Sequence, residues 1–192
     1  MFAVVYFVPL LLSSAAIAIT SKALLDPNFG LGTGLGIAWL NQDWLGNSTL
    51  AMGVLIFVVS WQFIPFHSLI YQGGVRQIPV SMYEASQIDG AGRVRQFFSI
   101  TLPQLKYTFI TSSTLMVVGS LTSFDLIFVL TGGGPGDATR VLAVDMYKRG
   151  FQANLMGPAS AIAVILVLVG LGLSLLLRRL GGRADESQLE GA

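Results

Sequence analysis

Residues 157–177 read G-P-A-S-A-I-A-V-I-L-V-L-V-G-L-G-L-S-L-L-L, an unbroken run without a charged side chain. A hydrocarbon core about 30 Å thick needs about 20 apolar residues in a helix, so this stretch is long enough to cross one. Working outward from it, residues 2–20, 49–71 and 107–130 have the same character. The sequence therefore predicts an all-α, polytopic integral membrane protein with four transmembrane helices. Composition points the same way: the 192 residues are 53% hydrophobic and 11% charged, with a mean hydropathy of +0.70, whereas soluble domains carry about 25% charge. The first stretch could be read as a cleaved signal, with Ala16-Ile17-Ala18 as its processing site. It has no basic region ahead of it and is longer than such signals require, and a retained span is expected.

Composition also excludes. With no cysteine, disulfide frameworks, thiolate metal sites and cysteine nucleophiles are absent. A net charge of +1 gives no basis for nucleic-acid binding, which needs clustered Lys and Arg in excess. The single histidine, His67, makes no multi-histidine metal site, and the acidic residues show no H-E-x-x-H or paired intramembrane pattern. No catalytic residue, metal or cofactor is expected. Gly30, Gly32, Gly34 and Gly36 alternate in one loop, and Thr131-Gly132-Gly133-Gly134-Pro135-Gly136 opens another. Neither has the Lys-Ser/Thr pair of a phosphate-binding loop, so these glycines are read as turns where helices leave the membrane. Asn47-Ser48-Thr49 matches a glycosylation sequon, a pattern too short to carry weight.

Orientation follows from Lys and Arg. Arg76, Arg93, Arg95 and Lys106 lie between the second and third stretches, and Arg178, Arg179 and Arg183 follow the fourth; Lys22, Arg140, Lys148 and Arg149 lie on the other side. Seven against four places residues 72–106 and 178–192 in the cytoplasm and residues 22–48 and 131–156 outside. The domain organisation expected is one membrane domain over 1–177, interrupted by the loop 72–106, and a cytoplasmic tail over 178–192.

That cytoplasmic loop is the most informative polar segment: Ile78-Pro79-Val80-Ser81-Met82-Tyr83-Glu84-Ala85-Ser86-Gln87-Ile88-Asp89-Gly90-Ala91-Gly92. Ser81 and Glu84 have the spacing of a capping box, which predicts a short helix over 81–88 that Gly90 and Gly92 end. Val94, Phe97, Phe98, Ile100 and Leu102 then form a second amphipathic piece, expected to stop at Pro103 because the residue before proline disfavours the α region. A helix-turn-helix between two spans has no domain of its own in which to bury its apolar stripes. It should pack on the ends of the spans or dock in a groove of another protein.

These residues resemble a known family. E-A-S-x-x-D-G-A-G followed by I-T-L-P is similar to the E-A-A motif of ABC importer permeases, and T-G-G-G-P with Met146-Tyr147-Lys148-Arg149-Gly150-Phe151 is similar to their carbohydrate subfamily, including the maltose and glycerol-phosphate types. The resemblance runs from about residue 4 to 177. It implies a second permease subunit, an ATPase dimer at the cytoplasmic face, an extracytoplasmic solute-binding protein and a multi-pass place in the plasma membrane. It also implies that the motif helix is a coupling helix seated in a cleft of the ATPase, with Glu84, Ala85, Asp89 and Gly90 as the coupling residues. The alternative for Glu84 is that it caps its own helix, which is compatible with docking. Ser86 stands where the motif usually has a second alanine. The family core has six spans, and Phe7-Val8-Pro9-Leu10 resembles the start of the third, so the first two spans are expected to be missing from this chain, through a misplaced start, a truncation or replacement by the partner.

Substrate contact is read from depth. At about 1.5 Å of rise per residue, Gln62 lies about 20 Å along its span and Ser120 about 20 Å along the next, both near the midplane where transporter sites are expected. Trp61, Phe63 and Phe66 on one helix and Thr122 and Ser123 on the other supply aromatic faces and hydroxyls of the kind a sugar needs. Gln62, Phe66, Ser120, Thr122 and Ser123 are the candidate pathway residues; the alternative is that Ser and Thr join neighbouring helices or bond their own backbone. Asp125 lies about 27 Å along its span by the same rise, near the outer interface, and His67 is read as interfacial at the inner edge. A proton-coupled carrier would need ionisable groups at the midplane, and a membrane scaffold would need no coupling helix.

Overall fold

The computed structural model describes residues 2–181, which include helices and no strand; residues 182–192 of the expected tail, with Arg183, lie outside them. In chain order the α-helices are α1 (Phe2–Leu11), α2 (Ser14–Leu24), α3 (Leu31–Leu35), α4 (Ser48–Arg76), α5 (Val80–Ile88), α6 (Arg93–Gln96), α7 (Leu102–Gln104), α8 (Lys106–Thr122), α9 (Asp125–Leu130), α10 (Leu142–Tyr147) and α11 (Met156–Gly181). Contacts divide the chain into a first unit, Met1–Pro65 with Gly119–Val169, and a second, Phe66–Val118 with Gly170–Ala192.

Two helices, Ser48–Arg76 and Met156–Arg179, are long and apolar enough to cross a membrane, and a bent pair, Val5–Leu11 with Ser14–Leu24, makes a third if it counts as one span. Four spans were expected, and among the described residues two or three meet this criterion. The first predicted span turns through 112°, because Ser13 adopts an extended conformation and caps α2, its Oγ accepting from the Ala16 N–H at 3.2 Å. A serine before an apolar run competes for backbone in this way, a cost that average hydropathy does not register. The third predicted span, 107–130, is broken after Thr122: Ser123 and Phe124 are non-helical, and Asp125 opens α9. By contrast α4 exceeds its predicted 49–71. Asn47 caps it, its Oδ1 accepting from the Thr49 and Leu50 N–H groups at 3.0 and 3.3 Å, and it continues through Pro65 to Arg76.

In the first unit the core is built from α2 (Ile17, Ala18), α4 (Val54, Leu55, Val58), α9 (Leu126, Ile127, Leu130) and α10 (Val144). The spacing of 54, 55 and 58 places them on one helical stripe. In the second unit α4 and α8 run antiparallel: His67 meets Ser112, the Tyr71 ring lies tilted against Phe109 with centroids 4.9 Å apart, and Gly74 lies against Leu105 and Thr108. A small residue at such a crossing lets the backbones approach. His67, expected at the inner membrane interface, is buried between these helices, its Nδ1 2.8 Å from Ser112 Oγ.

The segment after the motif helix also departs from expectation. It does not stop at Pro103: α6 passes into a π-helical stretch, Phe97–Thr101, then α7, and Leu105 alone separates this from α8. Proline lacks the N–H that a regular helix would direct four residues back. A wider π turn just upstream relieves the mismatch and lets the helical path continue.

Candidate functional site

In the second unit, α5 begins at Val80 with Pro79 as its N-cap and no side-chain cap. The capping box expected of Ser81 and Glu84 is not formed: Ser81 already lies within the first turn, where its backbone is helical. Freed from that role, Glu84 is exposed and makes no hydrogen bond or ion pair among the described residues. Ala85 and Asp89 are exposed beside it. The helix ends in a Schellman motif, with the Gly90 N–H donating to Gln87 O at 3.0 Å and the Ala91 N–H to Ser86 O at 2.9 Å. That closure needs a left-handed residue, and Gly90 supplies it at φ +75°. Around this turn Val80, Ile88, Val94 and Phe98 are exposed, Ile88 at 87%. Exposed apolar side chains of this size are available for contact with a partner.

Four residues hold this turn together, none of which the sequence reading had assigned a role. Ser86 Oγ donates to Tyr83 O at 2.8 Å, Gln96 Nε2 donates to Ser86 Oγ at 2.8 Å and to Tyr83 O at 3.3 Å, and the Tyr83 hydroxyl meets Thr101 Oγ1 at 2.9 Å. Gln96 is only 8% exposed. A glutamine between Arg95 and Phe97 in an amphipathic stretch was the available signal, and it reads equally well as a solvated position.

In the first unit Gln62 is 4% exposed, and its Nε2 donates to Ser14 Oγ at 3.0 Å. It thus ties α4 to the start of α2, just past the 112° bend. Its Oε1 is buried without a donor among the described residues, where an orphan acceptor is costly. Ser120 and Thr122 are exposed near the end of α8, Thr122 Oγ1 reaching Gly119 O at 3.4 Å, and Ser123 is half-buried at the break. Asp125 is exposed in the first turn of α9. Trp61 and Phe63, also in this unit, are exposed. Phe66, in the second unit, is exposed and lies edge-on to His67 with centroids 5.3 Å apart. Ser14 is the contact missed: one serine of a pair in an apolar run gives no hint of a partner 48 positions away.

The glycine-rich loop of the first unit is closed on itself. Thr139, 1% exposed, pairs with Thr131 Oγ1 at 2.6 Å and donates to Gly134 O at 2.7 Å. Gly133 sits at φ +86°, and a Cβ there would press on Arg140 at 3.3 Å. Arg140 bridges Asp137 at 2.8 Å and Asp145 at 2.6 Å, and Asp145 also takes Arg149 at 2.7 Å. The hydrogen bond it donates to Asp137, with the charge of Asp145, holds the Arg140 guanidinium above its ordinary pKa. No group of three His, Asp or Glu among the described residues is placed to hold a metal ion.

Residues 1–186 match the family described as the binding-protein-dependent transport system inner membrane component. The chain belongs to this family. As such it is a membrane-embedded protein. The chain is 38% identical over 179 residues to a probable ABC transporter permease protein of Bacillus subtilis, covering 91% of this chain and 61% of that one. It is 35% identical over 167 residues to the multiple sugar-binding transport system permease protein of Streptococcus mutans, covering 85% and 57%. The chain thus spans about three fifths of the curated relatives it matches. Its fold is similar to that of a crystal structure of a bacterial ABC transporter involved in the import of the acidic polysaccharide alginate, with a TM-score of 0.79 at 22% identity over 96% of this chain and 66% of that one. This is the family that the E-A-S-x-x-D-G-A-G and T-G-G-G-P motifs resembled.

Proposed function

We propose that this chain is the membrane-spanning part of a permease subunit in an ATP-driven, binding-protein-dependent importer for a sugar or sugar derivative. It works by alternating access and catalyses no reaction itself. Its partners are a second permease subunit, an ATPase dimer and an extracytoplasmic solute-binding protein, and it resides in the plasma membrane, with residues 72–106 on the cytoplasmic side. The observation that carries the reading is the motif helix α5, whose Glu84, Ala85 and Asp89 stand exposed next to the Gly90 turn, with Ile88 presented to a partner. The sugar specificity rests on relatives such as the Streptococcus mutans permease.

Within the first unit, Gln62, Ser120, Thr122 and Ser123 are proposed to face the transported solute. The buried Oε1 of Gln62, which has no donor of its own, supports this, since a sugar hydroxyl would satisfy it. For Phe66 the support is its exposed aromatic ring.

The test is a single cysteine at Ala85, in a chain that has none to interfere. In the complete importer, Ala85→Cys should form a disulfide with a cysteine in the cleft of the ATPase, and vesicles should take up at least one of a panel of radiolabelled mono- and oligosaccharides only when ATP is supplied. Uptake that persists without any ATPase would overturn the reading. Gln62→Leu should lower that uptake while leaving the cross-link intact; unchanged rate and affinity would return Gln62 to a packing role beside Ser14.

A further inference from the structure

The turn from α5 to α6 is made of Asp89, Gly90, Ala91 and Gly92, and neither glycine has anything within 4 Å of where a Cβ would stand. Packing at the turn itself therefore does not keep the two helices together. The polar contacts behind it do. Ser86 Oγ acts at once as donor to Tyr83 O and acceptor from Gln96 Nε2, while Tyr83 reaches past Gln96 to Thr101 in the π-helical stretch. From Thr101 the helical path runs on through α7, where the Leu105 N–H donates to Thr101 O at 3.0 Å, and into α8, where the Phe109 N–H donates to Leu105 O at 2.9 Å.

We propose that Ser86, Gln96 and Tyr83 form a polar clasp that makes α5 and the helical path into α8 move as one lever, so that displacement of α5 by the ATPase is passed to the membrane helix only while the clasp is closed. This rests on the docking reading of α5. Ser86 is a positioning residue: it acts through Gln96 and touches neither solute nor nucleotide. An alanine, the usual residue of the motif at this place, would leave Gln96 with only its 3.3 Å contact to Tyr83 O. A nearly buried carboxamide holds its geometry only while its partners are in place, so in this chain the serine and the glutamine form one device.

The experiment measures ATP hydrolysis and uptake together, in the importer assembled with its ATPase, using the saccharide that the wild type carries. Gln96→Leu and Ser86→Ala should each lower the ratio of saccharide taken up to ATP hydrolysed at least five-fold, with hydrolysis within two-fold of wild type. Ser86→Thr, which keeps the hydroxyl, should restore most of the ratio. Combining Gln96→Leu with Ser86→Ala should do no more harm than the worse single change, because both open the same clasp. If Gln96→Leu fails to assemble, Ser86→Ala carries the test, since a small side chain there leaves the helix intact. The Ala85→Cys cross-link, run on every variant, separates the two ideas. A cross-link that forms throughout, with an unchanged ratio in both single variants, overturns the clasp and leaves the docking reading standing. A wild-type background in which Ala85→Cys does not cross-link overturns the docking reading, and the clasp with it.

Discussion

Two polar segments interrupt the apolar helices, and they dispose of their polar groups in opposite ways. Residues 131–149, in the first unit, turn inward: Thr139 is buried against Thr131 and Gly134, and Asp137, Arg140, Asp145 and Arg149 neutralise one another along one chain of ion pairs. Residues 78–105, in the second unit, bury Gln96 of the clasp, with Ile78 and Leu105 at the two ends of the segment, and leave Glu84, Asp89, Ile88 and Val94 exposed. A segment whose carboxylates, arginines and buried hydroxyls are already paired has little left with which to bind. One that keeps an unpaired carboxylate beside exposed aliphatic groups has both the charge and the apolar area that docking requires. The contrast teaches that glycine and charge content alone do not distinguish a self-contained cap from a contact surface; what distinguishes them is where the hydrogen bonds go.

The comparison breaks most easily at Asp145. Its side chain is mostly shielded and faces two arginines, so Asp145→Ala should destabilise the first unit by about 2–3 kcal/mol, between the values for exposed and buried pairs broken on one side. Thermal unfolding of the detergent-solubilised protein reads this, and a melting temperature equal to wild type would mean that the segment does not depend on its ion pairs. A smaller effect is expected at Gly90. A β-branched residue at φ +75° is strained by about 1–2 kcal/mol, so Gly90→Val should lower the melting temperature modestly while abolishing ATP-driven uptake. Full transport by that variant would show that the turn is not part of the coupling path. Ser81→Ala should do least. With Pro79 as N-cap and no side-chain cap, its removal should change stability by under about 0.5 kcal/mol, whereas a working capping box would lose about 1 kcal/mol. A loss of that larger size would restore the box that the sequence spacing suggested.

Much of the motif helix was legible. The end of α5 at Gly90 was readable because a left-handed C-cap has a strong residue preference. Its start was not: Ser81 and Glu84 have capping spacing, but Pro79 two positions earlier opened the helix first. The stop expected at Pro103 failed for a related reason, since a local rule about proline cannot know that a π turn upstream will absorb the missing donor. In the candidate pathway, helical rise located Gln62 along its span, yet not the fact that Ser14 takes its amide group and leaves its oxygen alone.

What the sequence determined by itself is therefore the membrane character, the all-helical class and the family. Apolar runs of about 20 residues have few alternatives in a bilayer, and the E-A-S-x-x-D-G-A-G and T-G-G-G-P motifs are contiguous. Only the tertiary structure decided that the first stretch bends at Ser13, that the third breaks at Ser123 and Phe124, that His67 is buried against Ser112, and that Ser86 and Gln96 close on each other. Each of these turns on a polar group choosing between its own backbone and a partner elsewhere in the chain. Hydropathy averages over that choice, because it counts how polar a residue is and not which donor or acceptor the folded chain brings to it.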